Sequence, residues 1–306
     1  NVTAANDAPT DLALSANTVA ENAANGTSVG TVSGTDPDSG DTQSYSLTDT
    51  AGGRFAIDSS TGEITVADGS LLNYESATNH SVTVRVTDSG GLTYDETFTI
   101  NLTNVNESPT GADATVTINE DGSHTMTAAN FGFSDVDAGD SLSAVRIDTL
   151  PGAGSLTLSG VAVTAGQVIS LADITAGNWV FTPAANANGT GYASFTFSVR
   201  DSNNTYDAAP NTLTVNVTAT NDAPTDMALS ANTVAENVAN GTSVGTVSGT
   251  DPDSGDTQSY SLTDTAGGRF AIDSSTGEIT VADGSLLNFE AAASHDVTVR
   301  VTDSGG

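Results

Sequence analysis

The sequence predicts an all-β protein made of tandem Greek-key β-sandwich domains with seven strands each, in an elongated array. Short runs rich in Val, Ile, Leu, Thr and Ser alternate apolar and polar residues, as in TSVGTVSGTD (27–36) and HSVTVRVTDSGG (80–91). Glycine and Asn/Asp clusters separate these runs at regular intervals, which is typical of strands joined by turns. Few segments have apolar residues at three- and four-residue spacing, so we expect almost no helix. The first hundred or so residues hold about seven such strands, enough for one sandwich.

A long internal repeat supports this organisation. Residues 6–91 recur at 221–306, an offset of 215 residues, with seven differences between the copies. The opening NVTAAN also resembles NVTATN at 216–221. We therefore expect the chain to be a segment of a longer tandem array with a 215-residue period.

Three domains follow from the repeat. Domain 1 is predicted at residues 1–106 and domain 3, its near-identical copy, at 221–306. Domain 2, at 107–220, differs in sequence but also has an acidic loop, DVDAGD (135–140), and a closing run of alternating residues. Domain 3 lacks the last strand that ETFTINLTNVN (96–106) gives domain 1. Either this strand was cut off or is disordered, or the open edge accepts a strand from another chain.

Composition restricts the partners. The chain has 38 acidic and 6 basic residues, a net charge of −32, and all six basic residues are arginines. Nucleic acids and anionic membrane surfaces are excluded because like charges repel. No run of eighteen apolar residues is present, so we expect no direct membrane insertion. The chain has no cysteine, so no disulfide stabilises the fold, and another stabilising group, such as a metal ion, is expected.

The acidic residues fall in an ordered set of motifs. Domain 1 contains Glu21-Asn22, Asp36 and Asp38 in DPDSGD, Phe55-x-Ile57-Asp58-x-x-Thr61-Gly62-x-Ile64, Glu75 in LLNYE, and Val86-x-Asp88-x-Gly90. The linkers contain Asn104, Asn106, Glu107 and Pro109, and then Asn221, Asp222 and Pro224. In this order and spacing the motifs resemble the cadherin family, and in particular the cadherin-like tandem repeats of large bacterial RTX-type surface adhesins. Two positions depart from the family pattern. Asn73 replaces the aspartate of L-D-R-E, and domain 2 has TPAANANG (182–189) in place of that motif.

The resemblance implies Ca²⁺ sites at the junctions between domains. The first junction would use Glu21, Glu75, Asn104, Asn106, Glu107, Asp135, Asp137 and Asp201. The second would use Glu120, Asn221, Asp222, Asp251, Asp253 and Asp303. The start of the chain would hold half a site, with Asn6, Asp7, Asp36, Asp38 and Asp88. Ca²⁺ prefers six to eight oxygen ligands, which these residues offer. Because domain 2 lacks the L-D-R-E motif, we expect fewer or weaker ions at the second junction.

The resemblance also implies a function. The chain is expected to be a calcium-rigidified extender of a secreted or cell-surface adhesin, membrane-associated in a Gram-negative bacterium, that supports cell adhesion or biofilm formation. Its partners would be calcium ions and neighbouring repeats of the same chain. The alternative is a module that binds another copy or a polysaccharide directly, for which an exposed aromatic platform would be the signature. Trp179 is predicted to be a core or edge-strand residue instead. No catalytic constellation is present, so we do not expect an enzyme.

An acidic loop has a second explanation. Asp, Asn and Gly are common turn residues without any metal. The metal interpretation therefore depends on the whole ordered set of motifs and not on any one loop.

Overall fold

The computed structural model describes residues 5–306, so the first four residues of the predicted domain 1 and of the NVTAAN match lie outside it. The chain divides into two compact units, which we describe separately. The first contains the chain up to Ala112 together with Gly132–Arg146 and Ser198–Pro210, and the second contains Asp113–Phe131, Ile147–Phe197 and Asn211–Gly306. Residues of domain 2 thus occur in both units, and the three-domain boundaries stay a prediction.

Domain 1 is a sandwich of two four-stranded sheets. Its strands are Asp11–Leu14 (β1), Thr18–Ala20 (β2), Ser28–Thr35 (β3), Ser44–Asp49 (β4), Phe55–Ile57 (β5), Glu63–Val66 (β6), Asn79–Thr87 (β7) and Thr93–Thr103 (β8), with a 3₁₀ turn at Gly69–Leu71. One sheet has the order β1-β3-β6-β5 and the other β2-β8-β7-β4. The all-β sandwich prediction is confirmed. The described residues of domain 1 form eight strands where seven were predicted, because the first strand is split between the two sheets.

Strand alternation builds the core of domain 1. In β7, Val82, Val84 and Val86 are fully buried, while the residues between them are partly exposed. They pack in one cluster with buried apolar side chains from both sheets, including Phe55 and Ile64. Burying an aliphatic or aromatic side chain of this size stabilises the fold by about 1.5–3 kcal/mol. Interleaved apolar residues on both sheets therefore hold the sandwich together.

The crossing between the two sheets constrains one glycine. The chain leaves β1 at Ser15, whose amide donates a hydrogen bond to the Thr31 carbonyl (3.0 Å), and then passes over β3. A Cβ atom at Gly30 would overlap the carbonyl oxygen of Ala16. Gly245 has the same relation to Ala231 in domain 3. Glycine is needed here because backbone approaches backbone too closely for a side chain.

Domain 2 has the same type of fold with different loops. Its strands are Ala114–Asn119 (β9), His124–Thr125 (β10), Ala144–Ile147 (β11), Ser155–Leu158 (β12), Val161–Ala162 (β13), Val168–Ser170 (β14), Trp179–Thr182 (β15), Gly189–Arg200 (β16) and Asn211–Thr218 (β17). The helix Leu171–Thr175 (α1) and a 3₁₀ turn at Ala128–Phe131 complete it. One sheet has the order β10-β15-β12-β13, and in the other β9 pairs parallel to β17, as β2 does to β8.

The core of domain 2 is aromatic. Trp179 is fully buried and stacks on Phe131, with ring centroids 5.1 Å apart and planes 7° from parallel. Phe195 and Phe197 pack around this pair. Trp179 is thus a core residue, as predicted, and does not offer a platform for a ligand.

Domain 3 repeats part of domain 1. Its strands are Thr225–Leu229 (β18), Ser243–Thr250 (β19), Ser259–Asp264 (β20), Phe270–Ile272 (β21), Glu278–Val281 (β22) and Thr298–Thr302 (β23), with a 3₁₀ turn at Gly284–Leu286. Among the described residues, none forms a counterpart of β8, and residues 233–235, which correspond to β2, are not a strand. An open groove lined by Val234, Val244, Leu287 and Val297 lies there instead. None of the helices within residues 5–306 has the length and the hydrophobicity that a membrane span requires.

Substitution of Gly30 by Ala tests the crossing. We expect Gly30→Ala to destabilise domain 1 by about 1–3 kcal/mol, because a core contact must shift to admit the methyl group. The measurement is hydrogen exchange at the Ser15 and Thr31 amides during urea unfolding. Gly152→Ala is the matched control, since nothing lies within 4 Å of a Cβ atom there. Equal stability of the two variants would contradict the steric argument.

Candidate metal centres

Three groups of acidic residues, here called the N-terminal centre and the first and second linker centres, share one hydrogen-bonding pattern. In each, an asparagine side chain donates to a buried aspartate: Asn6 to Asp88 (2.9 Å), Asn106 to Asp201 (3.0 Å) and Asn221 to Asp303 (3.1 Å). The backbone amide of the next residue donates to a second aspartate: Asp7 to Asp38 (2.7 Å), Glu107 to Asp137 (2.8 Å) and Asp222 to Asp253 (2.6 Å). Each linker is therefore attached to two carboxylates of the domain that follows it.

The D-x-D loops are built alike in the three centres. The backbone amide of the second aspartate donates to Oδ1 of the first, in Asp36–Asp38 (2.8 Å), Asp135–Asp137 (3.0 Å) and Asp251–Asp253 (2.9 Å). These short turns place both carboxylates of a loop on the side of the preceding linker. The structure thus brings together the two predicted aspartates of each D-x-D loop, and the second of them contacts the linker.

Glu21 connects domain 1 to the first linker. It follows β2 and is only 1% exposed. Its Oε1 accepts a hydrogen bond from the Val105 amide (2.9 Å), and its Oε2 accepts one from the Tyr74 amide (2.7 Å). Burial of this carboxylate is offset by two backbone donors, which also fix the path of the linker.

Carboxylates crowd together at the first linker centre. Oxygen atoms of Glu21, Glu75 and Glu107 all lie within 4.8 Å of one another. Desolvation and the charge of Glu21 raise the pKa of Glu75. Desolvation, together with the charges of Glu21, Asp137 and Glu75, raises the pKa of Glu107. Both shifts show that the ionised forms are disfavoured here when no cation is present.

The second linker centre has a different glutamate environment. Glu120, 3% exposed, accepts from the Thr220 amide (2.7 Å) and from Nδ2 of Asn188 (3.0 Å). These two hydrogen bonds, that from Asn188 first, lower the pKa of Glu120. Oxygen atoms of Glu120, Asp222 and Asp253 lie within 4.8 Å of one another. Desolvation and the charges of Asp121 and Asp253 raise the pKa of Asp222.

Five residues of these centres were not predicted. The last aspartate of each acidic loop belongs to its centre: Asp41 with Asp36 and Asp88, Asp140 with Asp135 and Asp137, and Asp256 with Asp251 and Asp253. These three aspartates could have been predicted from the sequence, since each is the sixth residue of its acidic loop. Asp121 also had a signal, since it directly follows the predicted Glu120 in sequence. Asn188 had none, because only the folding of domain 2 places it beside Glu120.

The centres fit a hard cation. Several of their carboxylate oxygens are buried without a hydrogen-bond donor: Asp36 Oδ2, Glu107 Oε2, Asp135 Oδ2, Asp222 Oδ2, Asp251 Oδ2 and Asp256 Oδ2. An unpaired buried carboxylate oxygen is costly, and a cation would remove that cost. The chain's six arginines cannot neutralise 38 acids. Six to eight oxygen ligands, with no sulfur, suit Ca²⁺. The donor set therefore fits calcium.

Family comparison identifies the domains. Residues 16–103 and 231–306 match the model of the Cadherin domain, and residues 105–218 match that of the Cadherin-like domain. The chain belongs to the cadherin family. This confirms the resemblance predicted from the motif order, at the level of tandem cadherin and cadherin-like domains.

Solved cadherin structures share the fold. Mouse Cadherin-23 EC22-24 superposes with a TM-score of 0.60 at 21% identity, over 94% of this chain and 90% of that one. Human CDH23 EC21-23 gives a TM-score of 0.57 at 21% identity, over 94% and 96% of the two chains. Mouse Protocadherin-24 EC1-3 gives 0.57 at 18% identity, over 85% and 84%. At such low identity these similarities show the fold alone.

Cadherin domains are extracellular adhesion modules that bind Ca²⁺ at the linkers between domains, and they are not enzymes. In this cadherin chain, the acidic clusters lie where linker residues meet the D-x-D loops. The location of the clusters thus agrees with the general property of the family.

Without metal, the first linker centre is expected to make the fold more stable at acidic pH than at neutral pH. Because the folded pKa of Glu75 and Glu107 is raised, their contribution to stability is present below the ordinary glutamate pKa and is lost as pH rises through the folded value. With a chelator present, scanning calorimetry is expected to give a higher transition temperature near pH 5 than near pH 7.5. Glu75→Gln should weaken this dependence, and Glu63→Gln, outside the clusters, should not. The same pH dependence in all three proteins would contradict the assignment.

Proposed function

We propose that this chain is a calcium-rigidified extender segment of a secreted or cell-surface adhesin, and that it supports cell adhesion or biofilm formation. The observation that carries the proposal is the pattern found three times, in which a linker asparagine and the next backbone amide bind two aspartates beside carboxylate oxygens without donors. A structural spacer needs such repeated joints, whereas a catalytic site needs one distinctive cleft.

The proposed ligands follow from the clusters. For the first linker centre they are Glu21, Glu75, Asn104, Asn106, Glu107, Asp135, Asp137, Asp140 and Asp201. For the second they are Glu120, Asp121, Asn221, Asp222, Asp251, Asp253, Asp256 and Asp303. The N-terminal centre would use Asn6, Asp7, Asp36, Asp38, Asp41 and Asp88. When bound, calcium would supply positive charge and oxygen coordination, and the chain's own residues already hold the linker against the acids.

The size of the electrostatic effect supports a role in rigidity. Two carboxylates about 4 Å apart repel by about 1 kcal/mol in water and by about 4 kcal/mol at a partly buried site. With three carboxylates in contact range at the first linker centre, this repulsion competes with the hydrogen bonds that hold the linker. A divalent cation turns the repulsion into attraction. The linker would therefore be loose without calcium and fixed with it.

The kind of adhesin rests on sequence. Near-identical copies 215 residues apart, no cysteine and no lysine resemble the long tandem arrays of bacterial RTX-type surface proteins, so we propose a Gram-negative origin. Direct polysaccharide binding has less support, because the one tryptophan is buried in the core. Binding between copies would appear as calcium-dependent dimerisation in sedimentation experiments.

Calcium titration tests the proposal. Extracellular modules bind calcium with dissociation constants of about 10⁻⁴–10⁻³ M. At about ten times that concentration each site should add about 1.4 kcal/mol of stability, seen as a rise in transition temperature with a matching heat of binding. Asp137→Asn should reduce the rise, and Glu63→Gln should not. No stabilisation at millimolar calcium would refute the proposal.

Small-angle scattering tests the rigidity. We expect calcium to give one well-defined maximum dimension, and a chelator to broaden the distance distribution, because the first linker loses its fixed path. Asp137→Asn should show the broad distribution at calcium concentrations that fix the wild-type chain. Identical scattering with and without calcium would count against an extender.

A further inference from the structure

The buried glutamates of the two linker centres have different neighbouring side chains. Glu21 and Glu120 each follow the strand that pairs parallel to the last strand of its domain, and each accepts a hydrogen bond from a linker amide, Val105 (2.9 Å) or Thr220 (2.7 Å). Up to this point the two sites match. They differ in the loop side chain that lies near the glutamate.

At the first centre the neighbouring side chain is a carboxylate. Oε2 of Glu21 accepts from the Tyr74 amide, and the Glu75 carboxylate, next along the chain, lies within 4.8 Å of both Glu21 and Glu107. Three negative charges therefore lie close together at the linker residue Glu107. The hydrogen bonds to Glu21 act against this repulsion when no cation is present.

At the second centre the side chain from the corresponding loop is an amide, and carboxylate oxygens of Asp222 and Asp253 also lie within 4.8 Å of Glu120. Nδ2 of Asn188 donates to Oε2 of Glu120 (3.0 Å). Asn188 lies in the loop before β16, and Glu75 lies in the loop before β7; in each domain that strand pairs antiparallel with the last strand. The two loops are thus equivalent in topology. A neutral donor occupies the part of domain 2 that holds an acid in domain 1.

We propose that Asn188 is a positioning residue that holds Glu120 and the amide of Thr220 in place without a cation, whereas Glu21 and the amide of Val105 depend more strongly on one. This inference rests on the proposed function and deepens it. Both glutamates have a protein donor at each oxygen, but the loop side chain adds a donor at Glu120 and a second charge at Glu21. Hydrogen bonds to a charged group are among the stronger ones. In an array with this period, linkers with a stronger and a weaker dependence on a cation would then alternate.

Hydrogen exchange on the complete chain tests the proposal in calcium and in chelator. The readouts are the Val105 and Tyr74 amides for the first centre and the Thr220 amide for the second. We expect chelation to speed exchange at Val105 and Tyr74 by about tenfold or more, equivalent to about 1.4 kcal/mol, and to change exchange at Thr220 by less than about threefold. Thr220 thus reports Asn188 even when no metal is bound.

Substitutions separate positioning from a merely structural role. Asn188→Asp keeps the shape and adds a carboxylate, so Thr220 should exchange faster in chelator and recover its protection in calcium. Ala185→Glu, an exposed charge in the same loop, is the matched control and should leave Thr220 unchanged. In the reverse direction, Glu75→Gln should make Val105 less sensitive to chelation. If Asn188→Asp disrupts the fold, this reverse variant still decides the question.

The outcomes are distinct. Equal sensitivity of Val105 and Thr220 to chelation in the wild-type chain would overturn the inference and leave the proposed function standing. Loss of Thr220 protection in Asn188→Asp that calcium does not restore would also overturn it, because Asn188 would then be a structural residue only. No response to calcium at either centre would refute the proposed function, and this inference with it.

Discussion

Repulsion between carboxylates at the linkers is the constraint on which the rest of this structure depends. The acids stand at strand ends and in adjoining loops, so the sandwich brings together residues that are far apart in sequence, such as Glu21, Glu75 and Glu107. Charged groups that lose water need donors or a counterion. The backbone amides of the linkers are those donors. The path of each linker is therefore set by the carboxylates that its amides must reach.

The fold repeats this arrangement of linker amides and carboxylates in successive domains. In domains 1 and 2 the strand before the buried glutamate pairs parallel to the last strand, so the glutamate always meets the beginning of the next linker. The acidic loop of the following domain then meets the end of the same linker. Variation enters through side chains that lie on loops, as with Glu75 and Asn188. Such a site can change its dependence on a cation without any change in the sandwich.

Domain 3 provides an internal comparison. Its sequence is nearly that of domain 1, yet residues 233–235 form no strand and Glu236 is exposed, whereas Glu21 is buried. The difference coincides with the absence of a β8 counterpart among the described residues. Local sequence is the same in both places, so the state of this segment is decided by its partner strand. β-structure is a property of pairs of strands rather than of single runs.

The sequence by itself determined the all-β class, the repeat, the cadherin family and most acids of the candidate centres. The alternation of apolar and polar residues, the turn residues and the order of the motifs are local features that the sequence alone shows. Only the tertiary structure decided that the first strand divides between two sheets over Gly30, that Trp179 stacks in a core, and that Asn188 faces Glu120. Each of these depends on contacts between residues distant in sequence. Such contacts are fixed by packing and by the need to pair buried polar groups, which no local pattern records.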